Sequence, residues 1–287
     1  MTNNNELVMM LMGGFGNQLF QLCQLNEYKN LNIKVYADTS NFARSKKEHN
    51  TTNRELVLPV QLFQINELSI YKRFTINTLE KIQKSKIFPF KLNFYQEIND
   101  YNWEHVKLRK FNKAIGYWQN SSLITKNKQF LIESLSKDAV FLKAFNKHVE
   151  KGSTVLHVRR GDYLKLNENL SNQFYENSLN FCSQNIENFH YNIFTDDKKW
   201  VESNKLFKHA NNIFSDDENI ESVKRSFANM LNNENYIVGN STFPLVAALL
   251  SETDSSKILV ADPWFRNKEK NLNLNDNWIK IKNVSFL

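Results

Sequence analysis

Residues 7–38, LVMMLMGGFGNQLFQLCQLNEYKNLNIKVYAD, decide the fold class of this chain. Residues 7–12 form an uninterrupted apolar run, which is typical of a strand buried on both faces of a sheet. Three glycines then break the run, a short helical stripe of apolar residues follows, and residues 33–37 alternate apolar with polar up to Asp38. A strand, a helix and a second strand in this order predict a βαβ unit and a parallel sheet.

The same alternation returns after Lys151-Gly152-Ser153, where we place the domain boundary. Strands are predicted over 154–158, 191–195, 212–214, 236–238 and 257–260, and helices over 174–185, 218–231 and 243–251, with one more helix starting near Asp197. The fold prediction is therefore α/β, with an N-terminal α/β domain over 1–150 and a Rossmann-like domain over 151–287.

The region between the two units follows a less regular pattern. Residues 56–63 are predicted as a strand interrupted at Pro59, residues 68–87 as a basic amphipathic helix, and residues 114–119 as a short strand or turn. Apolar residues near a 3.6-residue repeat predict one helix over 130–148.

Composition excludes several classes of protein. The 287 residues are 41% hydrophobic, with 7 Gly, 4 Pro and 2 Cys, which argues against a disordered, collagen-like or disulfide-stapled chain. No apolar run approaches the roughly 18 residues of a membrane span, and the N-terminus lacks the pattern of a signal peptide. We expect a soluble, cytoplasmic protein.

The formal charge of +7 is concentrated in one segment. Residues 1–40 and 151–287 each carry −1, so residues 41–150 carry +9. A nucleic acid, a membrane surface and an anionic substrate are all candidate partners for such a segment.

Polar residues follow the predicted strands, where ligands bind in doubly wound sheets. The first such loop contains Gly14, Gly16, Asn17 and Gln18, but Leu19 replaces the third glycine of the dinucleotide fingerprint, and no Walker lysine follows. The loop is therefore either a plain strand–helix turn or a turn that presents the Asn17 and Gln18 amides to a cleft.

The segment His157-Val158-Arg159-Arg160-Gly161-Asp162 is a sharper signal. Two adjacent guanidiniums at a strand end are costly to desolvate unless an anion meets them, and arginine matches phosphate geometry well. The alternative is an internal salt bridge from Arg160 to Asp162, which accounts for one arginine more readily than for both.

Two further loops have polar residues before a helix. Asn240-Ser241-Thr242 forms a helix N-cap sequence, with Pro244 in the first turn, and such a terminus can also bind phosphate. Asp196-Asp197 and Asp216-Asp217 are candidate metal carboxylates, although paired aspartates more often cap helices.

These motifs together resemble those of the family 11 glycosyltransferases, the alpha-1,2-fucosyltransferases. The matching segments are GGFGNQLFQ at 13–21, GYWQ at 116–119, HVRRGDY at 157–163, FTDD at 194–197 with Trp200-Val201, and NSTF at 240–243. The resemblance implies a GT-B fold, in which two Rossmann-like domains face each other across a cleft. It also implies transfer of L-fucose from GDP-fucose to the 2-hydroxyl of a terminal β-galactoside, free or lipid-linked.

The resemblance also implies roles for particular residues. Arg159, Asp162 and His157 are the catalytic candidates: Arg159 would clamp the diphosphate, and the other two would orient the arginines or touch donor hydroxyls. The donor set would add Arg160 and Asp196, with Gly14, Gly16, Asn17 and Gln18 from the opposite domain. Asn240, Ser241 and Thr242 would hold the donor from a helix N-terminus. No metal or other cofactor is required, and Asp162 and Glu168 are the nearest candidates for a general base.

Three alternatives stay open from the sequence. They are a nucleic-acid-binding protein, a silent nucleotide- or glycan-binding module, and a fucosyltransferase of another linkage or acceptor. We expect no nucleic-acid partner, because no RNA-reading aromatic motif accompanies the basic residues. Residues 41–150 are instead expected to give peripheral contact with the inner face of an anionic membrane.

Overall fold

The computed structural model describes residues 5–45, 54–84, 95–99, 108–215, 219–266, 272 and 274–283. The chain divides into two compact units, Met1–Trp118 and Gln119–Leu287. Each unit is built around one parallel sheet with helices, so the predicted α/β class with two Rossmann-like units is confirmed.

The first unit contains a five-stranded sheet in the order β3-β2-β1-β5-β4, and all its strand pairs are parallel. Its strands are β1 Glu6–Met10, β2 Lys34–Asp38, β3 Asn66–Glu67, β4 Tyr95–Asn99 and β5 Phe111–Ile115. Its helices are α1 Phe15–Asn30, α2 Ser40–Ser45 and α3 Ile70–Lys84, with a 3-10 helix at Val60–Phe63. Leu7 and Met9 of β1 are fully buried, as the apolar run predicted.

The prediction of a strand over 56–63 is wrong. Proline cannot donate to a sheet ladder, and Pro59 instead precedes the 3-10 helix, while Val57 and Phe63 are buried without strand pairing. The predicted helix over 68–87 corresponds to α3, and residues 85–87 lie outside the described residues. The sequence did not predict β3 or β4, because both are short and mostly polar.

The second unit contains a six-stranded parallel sheet in the order β11-β10-β9-β6-β7-β8. Its strands are β6 Glu150–Val158, β7 His190–Thr195, β8 Asn212–Ser215, β9 Asn233–Gly239, β10 Ile258–Asp262 and β11 Ile279–Lys282. Its helices are α4 Ser121–Lys126, α5 Lys128–Leu135, α6 Ala139–Phe145, α7 Gly161–Leu166, α8 Asn172–Asn185, α9 Lys198–Ser203, α10 Ile220–Met230 and α11 Thr242–Ser251, with a 3-10 helix at Lys205–Phe207. The five predicted strands are confirmed, and β11 was not predicted.

Strand order determines where a ligand can bind at the carboxyl edge of each sheet. In the second unit the chain runs from β6 outward through β7 and β8, and then returns to β9, β10 and β11 on the other side of β6. The loops after β6 and β9 therefore diverge to opposite faces and leave a crevice at their carboxyl ends. In the first unit β5 pairs with β1, so the loops that follow these two strands are neighbours at the carboxyl edge of the sheet.

The boundary between the units lies earlier than the 150/151 position expected from the sequence. Helices α4 to α6 belong to the second unit, because Phe141 packs edge-on against Phe227 of α10 with ring centroids 6.0 Å apart. Asp138 caps α6 and also binds Nζ of Lys224 at 2.9 Å. The same cap divides the single helix predicted over 130–148 into α5 and α6, and Lys151-Gly152-Ser153 lies within β6.

We expect a fragment of residues 119–287 to unfold cooperatively and a fragment of residues 151–287 to lose that cooperativity. Removing α4 to α6 exposes the face that packs against fully buried Phe141, Leu131 and Ile124, each burial contributing about 1.5–3 kcal/mol. That loss approaches the roughly 5–15 kcal/mol stability of a typical domain. Urea unfolding followed by circular dichroism tests this, and equal midpoints for both fragments would contradict it.

Candidate functional site

The loops after β6 and β9 meet at the carboxyl edge of the second sheet. Oη of Tyr163 donates to the backbone oxygen of Asn240 at 3.0 Å, and Nδ2 of Asn240 donates to the backbone oxygen of Glu168 at 2.8 Å. The ring of His157 lies 6.3 Å from that of Phe243, measured between centroids. The structure thus brings together the two strongest sequence motifs of this unit, at the switch point that its strand order predicts.

Arg159 is held by two carboxylates. Its Nε and Nη2 donate to Oδ1 of Asp162 at 2.9 and 2.7 Å, and its Nη1 lies 3.0 Å from Oδ2 of Asp196. Burial lowers the pKa of Arg159, but Asp196 and Asp162 outweigh burial and raise the pKa above its usual range. Within the described part of the chain these contacts use three of the five N–H donors, so Nη1 and Nη2 each keep one N–H for a ligand.

Arg160 has different partners from those expected. Its Nε donates to Oδ2 of Asp197 at 3.1 Å, and its guanidinium carbon lies 3.9 Å from the ring centroid of Trp200, a cation–π geometry. The internal salt bridge considered between Arg160 and Asp162 is not formed, since Asp162 pairs with Arg159 instead. Both arginines, rather than one, have carboxylate partners within the unit. The sequence motif included Trp200 but gave it no role, and its contact with Arg160 emerges only from the structure.

Asp196 binds the N-terminus of α7. Its Oδ1 accepts from the backbone N–H of Arg160 at 2.8 Å, and its Oδ2 accepts from the N–H of Gly161 at 3.1 Å. A Cβ at residue 161 would lie 2.9 Å from Oδ2 of Asp196, so any larger residue there would displace this carboxylate. Asp196 therefore joins the end of β7 to the turn that carries both arginines.

The paired aspartates are engaged as helix and arginine partners. Asp197 caps α9, accepting from the backbone N–H of Trp200 at 3.1 Å, as the capping alternative expected. The described residues include no group of three or more His, Cys, Asp or Glu side chains close enough to hold a metal ion. Asp216 and Asp217, the second candidate pair, lie outside the described residues.

His157 is buried beside a fixed positive charge. His157 is only 6% exposed. Burial, with a smaller contribution from the charge of Arg159, lowers the pKa of the imidazole from 6.5 to about 3. The imidazole is therefore neutral across the physiological range, and a group with so low a pKa is a weak proton acceptor.

The N-terminus of α11 lies next to His157 in this crevice. Ser241 occupies the N-cap position but makes no side-chain capping hydrogen bond, and the first intrahelical donor is the N–H of Leu245, which bonds to the Ser241 oxygen at 3.3 Å. Pro244 has no N–H, so the backbone N–H groups of Thr242 and Phe243 are the donors without an intrahelical partner. The helix dipole makes this position favourable for an anion.

The glycine turn of the first unit is held by two buried glutamines. Nε2 of Gln18 donates to the backbone oxygens of Gly13 and Glu55, at 3.0 and 2.8 Å, and its Oε1 accepts from Val57. Gln21 bridges the backbones of Met12 and Gly116. Gln18 is 1% exposed, so its amide supports the turn instead of facing a cleft as expected.

Asn17 and the neighbouring glycines form the open part of that turn. Gly13 has φ of +79°, and a Cβ there would lie 2.7 Å from Nδ2 of Asn17 and 2.9 Å from the Tyr117 ring. Gly14 is the extended N-cap of α1, and Gly16 is buried in its first turn. Gly13, Asn17 and Tyr117 thus converge where β1 and β5 end, at the carboxyl edge of the first sheet.

The two candidates for a general base are already engaged in part. Oδ1 of Asp162 is bound to Arg159, and Oε2 of Glu168 accepts from the backbone N–H of Arg266 at 3.0 Å. Each carboxylate is therefore oriented by a neighbouring group.

We expect His157 to make the protein less stable in acid. The unfolded chain takes up a proton near pH 6.5 that the native imidazole resists, so this stability is present above pH 6.5 and is lost as the pH falls toward about 3. Between pH 7 and 5 the loss from His157 is about 2 kcal/mol.

Urea unfolding at the two pH values measures that loss. His157→Gln removes it, whereas His148→Gln, at an exposed position, keeps the wild-type fall and serves as the matched control. An unchanged pH dependence in His157→Gln would contradict the assignment of a neutral, buried imidazole.

Comparison with known proteins gives the family. The family model described as Glycosyl transferase family 11 matches residues 90–282. An alpha-1,2-colitosyltransferase of Escherichia coli is 23% identical over 301 residues, covering 96% of this chain and 99% of that protein.

Two solved structures are similar at lower identity. One is a mutant of Arabidopsis thaliana FUT1 in complex with GDP, with a TM-score of 0.46, 10% identity, and 89% of this chain and 70% of that chain covered. The other is a family 9 glycosyl transferase of Veillonella parvula, with a TM-score of 0.45, 8% identity, and 99% and 87% covered. Because the family match spans more than half of the sequence, including both arginines and the α11 N-terminus, the chain belongs to glycosyl transferase family 11.

Proposed function

We propose that this glycosyltransferase transfers L-fucose from GDP-fucose to the 2-hydroxyl of a terminal β-galactoside, with inversion. The observation that carries the proposal is the pairing of an oriented arginine with an uncapped helix N-terminus in the crevice between β6 and β9. Such a pair suits a diphosphate leaving group. Family membership supports sugar transfer, and the resemblance of the motifs to alpha-1,2-fucosyltransferases supports the donor and linkage.

Charge develops on the diphosphate as the bond from the sugar to GDP breaks. The remaining N–H donors of Arg159 and the N–H groups of Thr242 and Phe243 would stabilise that charge, an interaction that strengthens toward the transition state. Asp162 and Asp196 fix the guanidinium beforehand, so little side-chain freedom is lost when the donor binds.

Other residues of the predicted site take supporting roles in this proposal. Arg160, stacked on Trp200, and Asn240, bonded to Glu168, hold the two loops in place. Ser241 contributes its uncapped position at α11, and Asn17, with Gly14 and Gly16, is assigned to the sugar side. Gln18 maintains the turn.

The acceptor hydroxyl must lose its proton during transfer. A neutral His157 with a pKa of about 3 does not take it near neutral pH, so we assign His157 to packing beside Phe243 and to hydrogen bonding with the donor. A loose transition state needs only a weak base, and Asp162 is the candidate that touches the arginine clamp.

We propose that the reaction needs no divalent cation, because Arg159 and the α11 N-terminus supply the positive charge and Asp196 and Asp197 are already bound by N–H donors. The rate is expected to be unchanged in EDTA and unchanged on adding Mg²⁺ or Mn²⁺. A rate that falls in EDTA and returns with one of these ions would contradict this part of the proposal.

Replacing Arg159 tests the diphosphate role. Each charged hydrogen bond contributes about 1.5–3 kcal/mol, so losing the two that Arg159 can still donate should weaken GDP binding by about a hundredfold or more, and Arg159→Ala should abolish measurable transfer. Arg159→Lys keeps the charge without the forked donors, so its GDP affinity should lie between those of the wild type and Arg159→Ala. Calorimetry measures GDP affinity, and circular dichroism checks that each variant is folded.

Arg225→Ala removes an exposed arginine from α10 and is the matched control, expected to bind GDP as the wild type does. Unchanged GDP affinity in a folded Arg159→Ala variant would eliminate the proposed clamp.

A second donor is favoured by one observation, the similarity to an alpha-1,2-colitosyltransferase. Colitose lacks the 3-hydroxyl of fucose, so the two donors differ at a single group. A site that hydrogen-bonds this hydroxyl would favour GDP-fucose over GDP-colitose by about 10⁴-fold or more in kcat/KM. A site with only an apolar contact there would separate the two donors weakly.

Incubation with GDP-fucose or GDP-colitose and a panel of β-galactosides distinguishes the two. We expect a higher kcat/KM for GDP-fucose and a 1,2-linked product by NMR. A preference for GDP-colitose would replace the donor in the proposal, and no transfer from either sugar would overturn it.

A further inference from the structure

Three apolar side chains lie exposed on one face of α3 in the first unit. Ile70, Tyr71 and Phe74 are 79%, 88% and 73% exposed. Phe74 comes four residues after Ile70 and three after Tyr71, and both spacings make it a neighbour of these residues on the helix surface. The exposed Lys81 lies on the same stripe, at i+11 from Ile70. We call these four residues the outer face of α3.

The opposite side of the helix is firmly attached to the sheet. Ile76 is 5% exposed and packs with Val8 and Leu68. Nζ of Lys72 lies 2.8 Å from Oε2 of Glu6 and 3.9 Å from the ring centroid of Tyr36. Because the helix already has its own buried contacts, the outer face is additional apolar surface that folding does not require.

Two further ion pairs fix the rotation of α3. Arg73 bonds to Asp38 at 3.0 Å, and Glu80 pairs with Lys113 of β5 at 2.9 Å. These contacts lie on the sheet side of the helix. A rotation that buried Ile70, Tyr71 and Phe74 would break all of them, so the outer face is a stable feature of the surface.

Charge favours one kind of partner for this face. The first unit contains 16 Lys and Arg against 10 Asp and Glu, so it carries +6 of the formal +7. Aromatic side chains beside lysine are typical of segments that lie in the headgroup region of a bilayer, with the rings below the charges. No described helix has the length and hydrophobicity to cross a membrane, so any membrane contact through α3 would be at the surface.

We propose that the outer face of α3 docks on an anionic lipid bilayer, with Ile70, Tyr71 and Phe74 entering the headgroup region. The positive charge of the unit attracts the surface over a Debye length, and the three apolar side chains supply the short-range contact. The proposal is independent of the reaction proposed above.

Vesicle sedimentation with the full-length protein tests it. Vesicles of phosphatidylcholine with phosphatidylglycerol are compared with vesicles of phosphatidylcholine alone, at low and high salt. The triple variant Ile70→Asn, Tyr71→Ser, Phe74→Ser should lose at least tenfold in partitioning to anionic vesicles, while Lys81→Glu should lose severalfold. Leu31→Asn, at a residue 65% exposed in the same unit, is the matched control and should bind as the wild type does.

Three outcomes would overturn the proposal. The first is a wild-type protein that does not sediment with anionic vesicles. The second is unchanged partitioning of the triple variant or, if that variant fails to unfold cooperatively, of Lys81→Glu. The third is self-association of the wild type in sedimentation velocity that the triple variant loses, which would identify a second copy of the chain as the occupant.

Discussion

The carboxylate of Asp196 is the constraint on which the candidate site depends. It accepts from the backbone N–H groups of Arg160 and Gly161 and pairs with Nη1 of Arg159, so one side chain at the end of β7 fixes both the turn and the guanidinium after β6. These three contacts give both carboxylate oxygens of Asp196 a donor, as a largely buried charge requires. Without Asp196, Arg159 would keep its two bonds to Asp162 but would lose its link to the end of β7.

This constraint changes the electrostatics expected of a phosphate site. Arg159 and Arg160 are accompanied by Asp162, Asp196 and Asp197, so the five side chains sum to a formal charge of −1. Attraction for a diphosphate must then come from oriented donors and not from net charge. Such preorganised N–H groups are effective because they need no rearrangement as charge develops on the leaving group. The three carboxylates orient the guanidinium donors, but their negative charge also removes the long-range attraction for the diphosphate.

Much of the fold was predictable from the sequence, and the failures have physical causes. The apolar run of β1 is typical of a buried parallel strand and is detected in the sequence, whereas β3 is an edge strand of two polar residues and β11 is an edge strand of only four residues. At the site, the motif gave Arg159 and its partner Asp162 but not the pairing with Asp196, because the pairing of residues 159 and 196 depends on the register of β6 with β7. Gln18 was predicted to face a ligand, since polarity alone does not tell a buried amide that binds backbone from an exposed one.

Nearly all of the formal charge of +7 lies in the first unit and not in the unit that contains the candidate site. The second unit, with 21 Lys and Arg against 20 Asp and Glu, is nearly neutral, although it contains the arginines proposed to bind the diphosphate. Positive charge that served the donor would be expected near those arginines, and the first unit has it instead, together with the exposed outer face of α3. Bulk charge acts over a Debye length and suits an extended anionic surface, whereas a diphosphate needs donors at hydrogen-bond distance. Each unit therefore has the kind of electrostatics that suits the partner proposed for it.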